Sequence, residues 1–161
     1  MYSNSSLIYL AGQQANEQID NSFELQRAAA RRFWRLFAGS IWQRLRSLLG
    51  RRPAGLLPLK QADVSTASSR YLGAMAVPIS QIQGSEGKSE EFDAEFRPLK
   101  PFSRDRWVSV AVAFLQGKSL PPVELIKVGQ QYFVRDGHHR ISVARAYGQY
   151  DVDAVVTVWN M

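Results

Sequence analysis

The pentapeptide Asp136-Gly137-His138-His139-Arg140 places a carboxylate, two imidazoles and a guanidinium between the strand-like run "QQYFVRD" and a helix-like run closed by Gly148. A strand that turns directly into a helix leaves the first backbone N–H groups of that helix without intrahelical partners, and the positive end of the helix dipole points the same way. That combination suits an anion. Gly137 removes a side chain from the approach, His138 and His139 add donors, and Arg140 can make a forked contact to phosphate oxygens. Asp136 has three readings here: N-cap of the helix, partner of a ribose hydroxyl, or Mg²⁺ ligand. The plain structural alternative makes Asp136 an N-cap, Gly137 a turn residue and the rest a solvated first turn. Spacing alone does not separate the two.

Two other chemistries fail on spacing. "GSEGKS", Gly84 to Ser89, has two residues between its glycines where a phosphate-wrapping P-loop has four. It reads as a loop. The acids that follow, Glu90, Glu91, Asp93 and Glu95, would repel a polyphosphate, but Glu90 and Glu91, like Asp136, remain candidates for a general base or a magnesium ligand if the loop folds over a site. His138 and His139 are the only histidines, and neighbours on a helix point about 100° apart, so they cannot grip one zinc ion as a pair four residues apart can. The absence of cysteine excludes a disulfide framework, thiolate metal sites and a catalytic thiol.

These residues must be positioned by a chain of 161 residues with a hydrophobic fraction of 45% and a charged fraction of 21%, the composition of one globular domain with an appendage. The net charge of +6 is confined to one end: residues 1–60 hold nine Lys and Arg against Glu17, Asp20 and Glu24, whereas residues 61–161 hold eleven of each sign. No signal peptide is visible and no apolar run reaches the roughly 20 residues of a membrane span, so a cytoplasmic protein is expected.

Along the chain, residues 1–22 read as a polar, weakly periodic segment and 23–52 as a basic amphipathic helical arm, whole or broken near Gly39-Ser40, with Gly50 and Pro53 as stop signals. Trp34, Phe37, Ala38, Ile41, Leu45 and Leu48 share one face of it, with arginines elsewhere on the cylinder. That face is expected to pack on its own domain or on a second copy, as in a homo-oligomer. The other readings are an anionic membrane or a nucleic acid, contacted through Arg27, Arg31, Arg32, Arg35, Arg44 and Arg46; Trp34 and Trp42 favour burial or membrane over DNA. Residues 53–69 read as a linker and 70–161 as an α/β unit. In that unit a strand lies in "GAMAVPISQI", a Ser103-capped helix runs through Trp107, Val110, Ala111 and Phe114 to Gly117, and a hairpin crosses Gly129. A helix from about His138 and a closing strand in "DVDAVVTVW" complete it.

From Val77 to Val158 this order, with Pro121-Pro122 before the hairpin and Ala144 as a small residue on the last helix, resembles the ParB/sulfiredoxin-like domain. The resemblance covers about half of the chain and implies a small mixed sheet with packed helices. It places nucleotide-phosphate binding on Gly137, His138, His139 and Arg140, with Mg²⁺ if the ligand is a triphosphate; hydrolysis or phosphoryl transfer stays open beside simple binding. Sulfiredoxins carry their catalytic cysteine in the corresponding turn, and this chain has none, so that activity is excluded. ParB partition proteins continue past the closing strand into a further nucleotide motif and a helix-turn-helix module, whereas this sequence stops at Met161, so clamping of DNA is not expected. The competing class is a non-catalytic DNA-, membrane- or protein-binding module that uses the basic helix.

Overall fold

The computed structural model describes residues 4–47, 55–59 and 69–159. Its elements in chain order are α1 (Asn4–Ser47), β1 (Leu57–Pro58), β2 (Ser69–Pro78), β3 (Ile82–Ser85), α2 (Arg104–Leu115), β4 (Val123–Val128), β5 (Gln131–Asp136), α3 (His138–Ala146) and β6 (Asp151–Trp159), with short 3-10 turns at Ile79–Gln81 and Pro101–Ser103. The fold is mixed α/β: one six-stranded sheet in the order β1-β3-β5-β4-β6-β2, and three helices. β4 and β5 form the expected antiparallel hairpin across Gly129, β3 runs parallel to β5, and β6 runs parallel to β4 and antiparallel to β2. The alternation predicted for the last strand places Ala154 and Val156 in the main core.

That core lies between the sheet and α3, with Val123 and Leu125 of β4, Tyr132 and Val134 of β5, Ile141 and Ala144 of α3, and Phe92 and Phe96 from the loop after β3. Ala144 is buried there, as a helix lying close on a sheet needs. The opposite sheet face carries a smaller cluster of Ile126, Val128, Phe133 and Trp159. α2 is packed on α3 through Trp107, whose indole N–H donates to Ser142 Oγ at 2.9 Å. Ser103 precedes α2 but does not cap it: its hydroxyl donates back to the Lys100 carbonyl at 2.7 Å. The 3-10 turn already occupies that hydroxyl.

The N-terminal helix departs most from expectation. It is unbroken across Gly39-Ser40 and extends back to Asn4 through most of the segment read as polar and weakly periodic. It is not a free arm either, because Ala29 and Phe33 are fully buried against Trp107, Ala111 and Val143, with Leu36 and Phe37 beside them. Buried Ser40 donates to the Pro98 carbonyl at 2.9 Å, and the Arg32 guanidinium turns inward to the Ala146 carbonyl at the end of α3 and lies over the Tyr147 ring. The face read as buried is the outer one, where Trp34, Ala38, Ile41 and Leu45 are exposed. The helix has two apolar faces, and periodicity selected the broader of them.

The linker reading also needs correction where it can be compared. Leu57–Pro58 add a short edge strand parallel to β3, and Leu56 is buried in the core, because "GLLPL" is an apolar run that gains by covering Ile82 and Phe92. Linker residues 53, 54 and 60–68, with Leu48 and Gly50, lie outside the described residues.

If α1 belongs to the core, Phe33→Ala should cost about 3–5 kcal/mol, the usual range for emptying a phenylalanine site. Ile41→Ala, on the outer face of the same helix, should change stability by about 0.5 kcal/mol or less. Urea unfolding of the two variants checks the contrast.

Candidate functional site

The turn between β5 and α3 is forced to be glycine. Gly137 has φ +97°, and a β-carbon there would lie 2.6 Å from Val123 Cγ1 and 3.1 Å from Arg140 Nε. The glycine therefore answers to backbone conformation and to the wall of β4; clearing a path for ligand is not what excludes a side chain. Gly137 occupies the N-cap position itself, so Asp136 is not the cap, and among the described residues no side chain caps the first N–H groups of α3. The first intrahelical bond runs from Ile141 N to Gly137 O at 3.0 Å.

The two histidines that follow point inward. His138 is buried, and its Nε2 lies 2.7 Å from Ser85 Oγ at the end of β3. Ser85 Oγ already accepts the N–H groups of Gly87 at 3.2 Å and Lys88 at 2.9 Å, so its single proton is the one left to donate to Nε2. That requires a neutral imidazole, and burial, followed by the nearby charges of Lys88 and His139 and opposed by Asp136, lowers the His138 pKa to about 4. His139 is edge-on to Phe92 with centroids 5.3 Å apart and a buried Nδ1 that has no hydrogen-bond partner among the described residues. Burial first, then Arg106 and Lys88, pull its pKa down to about 4 as well. Both imidazoles are buried, so neither is part of a solvated first turn.

Arg140 is likewise committed. Its guanidinium donates to the carbonyls of Pro121 and Pro122 at 2.6 and 2.7 Å and forms an ion pair with Asp136. This clamp fixes the double-proline segment against the start of α3. These bonds take three of the five guanidinium N–H groups, including both of Nη1.

What the turn borders is a cavity of about 440 Å³ lined by residues from several elements, within the usual range for ligand pockets. Besides Asp136 to Arg140 and the double proline, Lys88 from the loop after β3, Arg106 and Val110 from α2, Leu120, and Glu124 from β4 reach it. Lys88 and Arg106 are exposed, and their charges already act on His139. Sequence reasoning missed both. Lys88 was passed over with the rejected P-loop, although Ser85 holds its backbone nitrogen, and nothing local distinguishes Arg106 from any exposed helix arginine. Glu124 was missed too; it is the cross-strand neighbour of Asp136, so two carboxylates stand at the cavity mouth.

Glu90 and Glu91 are not among the lining residues, and Glu91 is paired with Lys88 at 3.7 Å. Gly84 belongs to β3, where a β-carbon would lie 2.3 Å from the Leu57 carbonyl oxygen and 2.4 Å from Phe133, so "GSEGKS" owes its first glycine to strand packing. A larger cavity, about 700 Å³, runs between α1 and α2. It is lined by flank residues of α1 and α2 and by none of Asp136 to Arg140, so the smaller one, which those residues line, is the candidate site. Among the described residues no cluster of three or more metal-ligating side chains occurs.

No family model and no curated protein matches the chain. Among solved structures it is similar to sulfiredoxin from Arabidopsis thaliana, at 14% sequence identity and a TM-score of 0.40, over 52% of this chain and 82% of that chain. A likeness at that level assigns neither ligand nor activity.

Two outcomes test this construction. Gly137→Ala should destabilise the fold by about 2–5 kcal/mol, a positive φ and a clash with Val123 acting together. Both histidine pKa values are depressed from 6.5, so the unfolded chain takes up protons before the folded one does, and stability is complete above pH 6.5 and lost as the pH falls towards about 4. Each imidazole contributes up to roughly 3 kcal/mol of that loss. Chemical denaturation at pH 7.5 and in the acid window, repeated on His138→Gln, which keeps an acceptor for Ser85, should show the loss and its reduction.

Proposed function

We propose that the chain binds a phosphorylated ligand in the cavity at the start of α3, a nucleoside triphosphate with Mg²⁺ being the class that fits best. The observation that carries this reading is the convergence of Lys88 and Arg106, from two separate elements, on a helix start whose N–H groups no side chain caps. Backbone donors and a positive helix end favour phosphate oxygens, and two cations from separate elements can balance a charge that one could not. In this reading the roles given to the pentapeptide are redistributed. The N–H groups of His138, His139 and Arg140 face the anion, His138 holds the Lys88 loop through Ser85, and Arg140 holds the cavity wall.

The two carboxylates have a place in the same scheme. Glu124 and Asp136 cannot alone hold a magnesium ion, but Mg²⁺ is commonly bound by one or two carboxylates with substrate phosphates and water completing its octahedron. Bound with a triphosphate, the ion would offset the repulsion between these acids and the phosphates. Hydrolysis or phosphoryl transfer would draw on the same pair, since Ser85 is buried and its hydroxyl is committed to His138. A neighbouring cavity of about 290 Å³ shares Leu120, Pro121 and Arg140 and carries Asp151 and Asp153, polar groups suited to the sugar or base end of such a ligand.

Calorimetric titration with ATP, CTP and GTP, each with Mg²⁺, and with inorganic pyrophosphate is the test. Lys88→Ala and Arg106→Ala should each weaken binding by about 1.5–3 kcal/mol, the scale of a lost charge-assisted hydrogen bond. Glu124→Gln should reduce the Mg²⁺ dependence with less effect on pyrophosphate. No binding of any of these ligands to the parent chain, or unchanged affinity in both cation variants, contradicts the proposal; phosphate release by the parent chain would extend it to catalysis.

A further inference from the structure

The outer face of α1 is unaccounted for by the fold or by the cavity. Trp34, Ile41, Trp42 and Leu45 are 47%, 45%, 68% and 50% exposed, an uncommon level for four large apolar side chains in succession. With exposed Ala38 they form a patch about 16 Å long, at the helical rise of 1.5 Å per residue. Arg31 and Arg35, both exposed, lie beside it, and exposed Arg27 is one turn further on. The charge of this region is of one sign: Glu24 is the last acid before Asp63, and every one of the nine Lys and Arg of the first 60 residues falls after Glu24. Of these, Arg32 is turned inward.

We infer that this face of α1 docks in the plane of an anionic membrane surface, with Trp34, Ile41, Trp42 and Leu45 entering the lipid headgroup boundary and the flanking arginines on its phosphates. The charge pattern selects this occupant. An apolar stripe edged by arginine, with aromatic rings at its margin, is the pattern of a helix lying in the interface plane. A second copy pairing through the same patch would bring the arginine-bearing segments together, with no acid between residues 25 and 62 to neutralise them. A nucleic acid would satisfy the arginines and leave Ile41 and Leu45 against water or phosphate. Among the described residues no helix is long and apolar enough to cross a membrane, so the contact is with the surface. The inner face of α1 stays packed on α2 and α3, so docking requires no unfolding and leaves the cavity at the start of α3 on a different part of the molecule.

The test is sedimentation of the full chain with vesicles of phosphatidylcholine alone and of equal parts phosphatidylcholine and phosphatidylglycerol, with tryptophan emission followed in parallel. Binding should favour the anionic vesicles by at least about tenfold and weaken with salt, and emission should shift to the blue. Trp34→Phe/Trp42→Phe should abolish the shift, because Trp107 and Trp159 are buried already. Ile41→Glu/Leu45→Glu should weaken partitioning by at least about tenfold with unchanged circular dichroism. If that pair disturbs the fold, Arg31→Glu/Arg35→Glu carries the same expectation. Equal binding to both vesicles, or none, overturns the inference. So does a dimer by light scattering whose emission is already blue without vesicles, or binding confined to duplex DNA.

Discussion

At Gly137 the chain must leave β5 and enter α3 with φ +97° and with Val123 where a side chain would stand. The direction of α3 follows from that turn, and with it the burial of His138, His139, Ile141 and Ala144 against the sheet. It also leaves Gly137, with no side chain to offer, at the N-cap. The cavity is thus a by-product of packing, since the conformation that seats α3 on its core also leaves its start, with no side-chain cap, among the residues that line a concave surface.

The polar groups around the turn divide into those that hold it and those left over. His138, Ser85 and the loop to Lys88 form one chain of bonds, and Arg140, Pro121, Pro122 and Asp136 form another. The first depends on an uncharged imidazole, which burial of His138 preserves as the pH falls towards about 4. The second spends a guanidinium on two carbonyls and a carboxylate, and the balance of charge facing the cavity then falls to Lys88 and Arg106 against Glu124. α1 shows a similar division: Arg32 is spent on the end of α3, where a cation is favoured, while Arg27, Arg31 and Arg35 remain exposed.

The sequence announced its α/β half clearly because each element there carries its own signals: alternation in β6, glycine at the hairpin, and a strand and helix meeting at Asp136-Gly137. The turn that borders the candidate cavity was legible for the same reason. The roles within it were not, because they depend on partners distant in sequence. Ser85, 53 residues before His138, decides that imidazole's state, and the carbonyls of Pro121 and Pro122 occupy Arg140. α1 misled through having two apolar faces, of which the buried one, Ala29, Phe33 and Ser40, is smaller and includes a serine. Periodicity measures how apolar a face is, whereas burial is decided by the shape of what it meets.

The claim on which this account rests is that the backbone at the start of α3 receives an anion. Chemical-shift mapping of the ¹⁵N-labelled chain during titration with pyrophosphate reads those groups directly. Progressive, saturable shifts of the His138, His139 and Arg140 amides, together with those of the Lys88 loop, are expected. Saturable shifts confined to the arginines of α1, or no shifts at the start of α3, would contradict it.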